Sequence, residues 1–355
     1  MGMAPPDKRR RVLVTGGSGF LGRAIAARLI ARGDRVRTLA RRFSPDLPPL
    51  GVEQQQGDIA DAAVVEKACA GMDAVIHTAA KAGVWGPYET YYGPNVRGTQ
   101  NVIAACRRQQ VGLLVHTSSP SVVFTGSDME GVDESTPYPD QFHAPYPETK
   151  ALAEQAVRAA ADGSLRTVCL RPHLIWGPGD PHLVPRILAR AGRLRRVGDG
   201  ANRVDTIYID NAAEAHILAL DRLAERPELS GRVYFISQDE PVPLWEMIDR
   251  ILAAGGKPPV KRSISPGAAS RVGAWCERLY RALRLAGEPP MTRFVAAELA
   301  TSHWFDISAA RRDLGYAPKV SIDEGLERLA EWLKRDFASK RSDESDRWVS
   351  SAGQN

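Results

Sequence analysis

Arg11-Val12-Leu13-Val14-Thr15-Gly16-Gly17-Ser18-Gly19-Phe20-Leu21-Gly22 is the stretch that decides the fold. A short apolar run ends in glycines. Leu21, Ile25, Leu29 and Ile30 then recur at helical spacing as far as Gly33, a natural helix stop. The pattern is buried parallel strand, tight turn, helix. Glycines at 16, 19 and 22 let the backbone approach a pyrophosphate. The helix N-terminus adds free N–H groups and the positive end of its dipole. The spacing, G-x-x-G-x-x-G, is one residue longer than G-x-G-x-x-G. With both flanks in place it predicts a dinucleotide-binding turn formed by Gly16, Ser18, Gly19, Phe20, Leu21 and Gly22.

Working outward, the next strand is Arg35-Val36-Arg37-Thr38-Leu39. A site for NAD usually ends this strand with Asp or Glu, to hold the ribose 2′-hydroxyl. Here the place reads Ala40-Arg41-Arg42. Two guanidiniums suit a 2′-phosphate, and no carboxylate repels it, so NADP(H) is the expected cofactor. Val52–Gln56, Ala74–Thr78, Leu113–Thr117 and Thr167–Leu170 continue the strand–helix rhythm. Alternation of this kind predicts α/β architecture, a doubly wound parallel sheet of Rossmann type. Ligands in such sheets bind at the carboxyl ends of the strands. Those ends carry Asp58 and Ile59, Ala79, Ala80 and Lys81, Thr117, and Pro172. Asp58 fits two roles, contact with an adenine or capping of the next helix.

At 355 residues the chain is long enough for two lobes. Residues 8–176 read as the dinucleotide domain, with 204–228 returning to it. Residues 177–203 and 229–338 read as a smaller mixed α/β substrate lobe. The charged, serine-rich 339–355 reads as a disordered tail. Four cysteines lie far apart and seven histidines form no ligand pair, so no metal site is expected. A net charge of +5, without an aromatic-interleaved basic stripe, fits an anionic ligand and gives no reason to expect nucleic acid. No apolar run reaches the length of a spanning helix. The start, charged and proline-rich, lacks the apolar region of a signal peptide, and a cytoplasmic protein is expected.

Tyr146-Pro147-Glu148-Thr149-Lys150 supplies the candidate chemistry. A Tyr and a Lys four residues apart lie about one helical turn apart. A phenol has a reference pKa of about 10, and a nearby ammonium would favour the phenolate. Such a Tyr can pass a proton to or from a carbonyl or alcohol oxygen. Pro147 suits the first helical turn, which puts Tyr146 at the start of its helix. Farther on, Val272, Trp275, Cys276, Leu279, Tyr280 and Leu283 form an apolar stripe opposite Arg271, Arg278, Arg281 and Arg284. A helix lining an apolar pocket is one reading of it; a face for a partner or a membrane surface is the other.

In order and spacing, these pieces resemble the extended short-chain dehydrogenase/reductases over nearly the whole chain. The resemblance rests on Thr15–Gly22, Gly57-Asp58, His77-Thr78-Ala79-Ala80, Asn95–Thr99, Thr117-Ser118-Ser119, Tyr146–Lys150 and Arg171-Pro172. Within that superfamily the Tyr-Pro-x-Thr-Lys form resembles the 3β-hydroxysteroid dehydrogenase branch. Ala80–Tyr88, Ser118–Val123, Leu174–Asp180 and Gly287–Phe294 are similar to the branch's bacterial long-chain β-keto acid reductases of olefin biosynthesis. The resemblance implies NADPH-dependent hydride transfer to a β-keto acid with two alkyl arms; the alternatives are a 3β-hydroxysteroid or sterol dehydrogenase of the same fold, decarboxylating or not, and a non-catalytic NADP sensor. It assigns Tyr146 as proton donor, Lys150 to the nicotinamide ribose and to tuning of Tyr146, and Ser119 to the carbonyl oxygen. Ser118 is the fallback for Ser119. Asn95 matches a supporting Asn of the family, and a helix cap accounts for it equally well. Val84, Trp85, Tyr88, Ser119 and Trp275 are the expected substrate contacts. A homo-oligomer, contacts with other enzymes of the olefin pathway, and a peripheral place on a membrane all fit the resemblance. One departure is informative. Nucleotide-sugar epimerases usually carry Arg directly before the Asp matching Asp205; here Val204 stands there and Arg203 lies one position early. In a strand that shift points the side chain to the other face.

Overall fold

The computed structural model describes residues 9–352, with side chains described through residue 338. Seven strands form one sheet: β1 (Arg11–Thr15), β2 (Arg35–Ala40), β3 (Glu53–Gln56), β4 (Ala74–His77), β5 (Leu113–Thr117), β6 (Arg166–Pro172) and β7 (Arg232–Ile236). Their order is β7-β6-β5-β4-β1-β2-β3, and every neighbouring pair is parallel. The order reverses between β1 and β4, the crevice where such sheets bind ligands. β7 carries the main sheet past residue 228, where the sequence reading ended the returning segment. Although β7 is an edge strand, its residues Tyr234, Phe235 and Ile236 are all buried, because the rest of the chain covers it.

Side chains alternate across β1 as its pleat demands. Val12 and Val14 join a core with α1 (Phe20–Ala31) and α5 (Ile209–Glu225). Leu13 joins a second core with α2 (Ala62–Cys69), α3 (Gly98–Arg108) and α4 (Pro145–Ala159). Helices on both faces make the sheet doubly wound.

A smaller four-stranded sheet orders Val242–Pro243, Arg203–Val204, His303–Phe305 and Met129–Val132. A third core around Trp176, Tyr208, Trp245 and Leu329 holds this region to the last helix, Ile322–Ala352. The expected tail at 339–355 coincides with the end of that helix, and 353–355 lie outside the described residues. Val204 is buried and Arg203 is exposed, donating to the Pro241 carbonyl. The one-residue shift therefore turns the arginine outward. Among the described residues no helix is long and apolar enough to cross a membrane, and no cluster of metal-ligating side chains occurs.

Candidate active site

The glycine turn packs the end of β1 against the segment just after β4. Gly16 has φ +72, and a Cβ there would sit 2.9 Å from the Ala79 backbone. A Cβ at Gly22 would lie 2.3 Å from the Gly16 carbonyl oxygen. Gly19 precedes α1 with no side-chain cap, so the first N–H groups of the helix remain open at an exposed turn. Ser18, Phe20 and Leu21 are half-buried around it. Arg41 and Arg42 are exposed at the end of β2 and form no ion pair among the described residues. Asp58 is exposed, and its carboxylate accepts from the Ala60 N–H at 2.8 Å. The cap of α2 is Asp61 instead. Ile59 is buried, with its side chain against Gly98.

A chain of buried hydrogen bonds ties this turn to the tyrosine helix. Thr15 meets His77 Nδ1 at 2.6 Å, and His77 Nε2 meets Thr99 at 3.0 Å. The Thr99 hydroxyl donates to the Asn95 carbonyl at 2.6 Å. Its oxygen therefore accepts from His77 Nε2–H, and His77 Nδ1 accepts from Thr15. Asn95 is not a helix cap: it lies in a widened turn, Gly93–Arg97, within a continuous run of helix. Its side chain clasps the Lys81 backbone, accepting from N–H at 2.7 Å and donating to C=O at 3.1 Å. The same amide donates to Thr149 of α4 at 3.0 Å. Lys81 in turn donates to Thr90 and lies over the Tyr91 ring at 4.6 Å.

Helix α4 begins at Pro145, so Tyr146 is its second residue, half-buried beside the end of β5. The Ser119 hydroxyl lies near enough to act on its phenol. Ser119 is extended, with φ −157 and ψ 145, and also holds Ser121 through its N–H (3.2 Å) and hydroxyl (2.9 Å). Ser118 is buried on the other side, toward Glu154. Between the two serines, Ser119 is the one at the tyrosine.

Lys150 is buried, and burial pushes its ammonium down to about 8. It donates to the Thr117 carbonyl at 2.6 Å and lies 3.4 Å from His116 Nε2. Around Tyr146 three influences on the phenol stand out. Burial raises the phenol, Ser119 lowers it, and Glu298 raises it. The Thr117 hydroxyl meets His216 at 2.8 Å. Pro172 is buried at the end of β6.

The expected substrate contacts divide. Val84, Trp85 and Tyr88 are half-buried in loop 83–88, where the Tyr91 hydroxyl donates to the Trp85 carbonyl at 2.7 Å. Tyr88 is directed to Glu148 on the outer side of α4. Trp275 does not line the site: it is 63% exposed, because α6 (Pro266–Ala282) turns Gly273, Cys276 and Glu277 inward and the tryptophan outward. The pocket-lining reading of that apolar stripe falls with it.

Glu298 was not foreseen. It lies on α7 (Arg293–Ala300), one turn beyond Phe294, which packs edge-on against Phe124 at 5.9 Å. That contact hangs the helix over the turn that follows Ser119. Burial pushes the Glu298 carboxyl up to about 7, with Arg186 pulling it down. No hydrogen bond or ion pair holds it among the described residues. A lone acid spaced i, i+4 from a buried Phe, in Arg293-Phe294-Val295-Ala296-Ala297-Glu298, was the available signal.

A doubly wound sheet, a glycine turn at its switch point, and a Ser/Tyr/Lys cluster beside it define an oxidoreductase acting on CH–OH or C=O groups. A sequence model of the 3-beta hydroxysteroid dehydrogenase/isomerase family matches residues 13–263. The chain belongs to that family. It is 54% identical over 323 residues to a 2-alkyl-3-oxoalkanoate reductase of Stenotrophomonas maltophilia, covering 90% of this chain and 98% of that protein. It is 50% identical over 332 residues to a 2-alkyl-3-oxoalkanoate reductase of Shewanella oneidensis, covering 91% and 86%. Among solved structures, MoeE5 in complex with UDP-glucose and NAD superposes with a TM-score of 0.71 at 25% identity, covering 92% of this chain and 99% of that one.

Proposed function

We propose that this chain reduces 2-alkyl-3-oxoalkanoates, long-chain β-keto acids, to 2-alkyl-3-hydroxyalkanoates with NADPH, in olefin biosynthesis. The observation that carries this reading is 54% identity to a reductase of that name over almost the full length of both chains. The nucleotide end of the crevice fits a dinucleotide. Side chains at Gly16 and Gly22 would collide with the Ala79 and Gly16 backbones that shape the turn, and the start of α1 keeps its N–H groups free. Gly16, Ser18, Gly19 and Gly22 would hold the pyrophosphate, Arg41 and Arg42 the 2′-phosphate, and Lys150 the nicotinamide ribose. When bound, the dinucleotide supplies the hydride.

The chain's own residues handle the substrate oxygen. Tyr146 donates a proton to it as negative charge develops, and Ser119 donates a hydrogen bond to the same atom. A phenol raised by burial keeps its proton until that moment, which suits reduction. Val84 and Trp85 border the route for the alkyl arms. The test is NADPH oxidation with a synthetic 2-alkyl-3-oxoalkanoate in wild type and Tyr146→Phe. A positioned general acid contributes about 10²–10⁴-fold, so kcat should fall at least about a hundredfold. Near-wild-type turnover by Tyr146→Phe would remove the proton donor from the scheme. Turnover of 3β-hydroxysteroids and not of the β-keto acid would overturn the substrate class.

A further inference from the structure

Helix α6 has two faces of unlike chemistry. Inward, Ala269, Gly273, Cys276 and Glu277 are buried. The approach is tight: a Cβ at Gly273 would lie 2.6 Å from the Thr292 backbone. Glu277 accepts from the Arg293 N–H at 2.7 Å and pairs with the Arg293 and Arg281 guanidiniums. Outward, Trp275 is 63% exposed and Val272 44%. Just past the helix end Leu283 is 61% exposed and Leu285 43%. Four large apolar side chains thus stand in solvent on one short surface. Scattered exposed apolar residues need no explanation, whereas a contiguous patch does.

The charges around the patch select what covers it. Arg271, Arg278, Arg281 and Arg284 are all exposed around these residues. From Pro266 to Gly287 the one acid is Glu277, and it is turned inward. A second copy of this chain docking the same face would set arginines against arginines. An anionic surface would meet them favourably. Tryptophan, leucine and valine flanked by arginines match the interfacial helix of a peripheral protein. There the apolar residues enter the headgroup–acyl boundary and the guanidiniums meet lipid phosphates.

We propose that α6 and the segment to Leu285 are a docking surface for an anionic phospholipid bilayer. The placement also has a use, which rests on the β-keto acid reading. Arg281 stacks on the Trp85 ring at 5.2 Å, and Glu288, just beyond the patch, pairs with Arg186. The surface therefore adjoins the loop through which a water-insoluble substrate would enter, and docking would place that loop at the bilayer. Binding itself does not depend on the reaction.

Sedimentation of the full chain with vesicles tests this. One set is equimolar phosphatidylcholine and phosphatidylglycerol, the other pure phosphatidylcholine. The bound fraction should be at least about tenfold higher on the anionic vesicles and should fall between 50 and 500 mM salt, since screening weakens exposed charge contacts. Trp275→Ser/Leu283→Ser should abolish it with an unchanged Tm. Equal binding to both vesicles, or wild-type binding by the variant, would overturn the proposal. So would an oligomer in solution that the variant dissolves, because the face would then join protein to protein. These outcomes are read without turnover, so failure of the substrate assignment leaves them distinguishable.

Discussion

Arg41 and Arg42 stand at the end of β2 with no carboxylate partner among the described residues. Neighbouring arginines differ: Arg37 pairs with Glu53 and Arg23 with Asp46. On the proposed NADPH reading, these two unpaired guanidiniums at the strand end would meet the cofactor's 2′-phosphate. A hydrogen bond to a charged group is worth about 1.5–3 kcal/mol, and about 1.4 kcal/mol is tenfold in affinity. Arg41→Ala/Arg42→Ala should therefore weaken NADPH binding by roughly a hundredfold or more and leave NADH nearly unaffected. Titration of intrinsic fluorescence with each cofactor measures both constants. Equal affinities for NADPH and NADH in the wild type would refute the 2′-phosphate site. Tyr146 carries a different lesson. Its spacing from Lys150 was legible in the sequence, but its electrostatics were not. Which oxygen an ammonium donates to depends on the approach of β5, and only the fold supplies Thr117.

Helix α4 is the element that sets the tyrosine, and its far side is anchored by charge. Glu154 and Arg171 are both buried and meet at 2.6 and 3.0 Å through two nitrogens. Tyr138 also donates to Glu154, at 2.6 Å. The guanidinium lies over the Phe235 ring at 5.1 Å, so the pair joins α4, β6 and β7. Burying this pair is not itself strong evidence of stability, but removing one partner leaves the other charged and unsolvated. Glu154→Ala should lower unfolding free energy by about 3–5 kcal/mol. Glu154→Gln, which can still hydrogen-bond Arg171, should cost less. A denaturant midpoint for Glu154→Ala within about 1 kcal/mol of wild type would show that α4 is held otherwise. The sequence carried the strands and helices of the sheet plainly, because buried parallel strands and glycine turns have local signatures. It did not carry β7, a five-residue strand far along the chain. Nor did it carry the outward turn of Trp275, because one apolar stripe can face a core or a bilayer. Asn95 and Glu298 depended on contacts between elements distant in sequence.

Across the whole molecule, buried imidazoles dominate the pH response. Burial pushes His77 and His173 down to about 3 and His216 and His303 to about 4; it also lowers His116, with the Lys150 charge adding to the effect. Each stays neutral in the folded chain at pH values where the unfolded chain, with imidazoles near pKa 6.5, binds a proton. Their stabilising contribution is therefore present above about pH 6.5 and is lost as the pH falls toward 4. Two carboxyls work the other way. Glu298, raised to about 7, and Asp205, raised to about 6, bind protons in the folded chain first, so they favour folding as the pH falls. Five imidazoles outweigh two carboxyls. Near pH 5.5 the unfolded chain therefore binds more protons than the folded one, and stability falls as the pH falls. Since a domain has only about 5–15 kcal/mol to lose, Tm should drop steeply between pH 6.5 and 5. Scanning calorimetry across that interval measures it. A Tm constant from pH 7 to pH 5 would mean that these histidines take up protons without unfolding the chain.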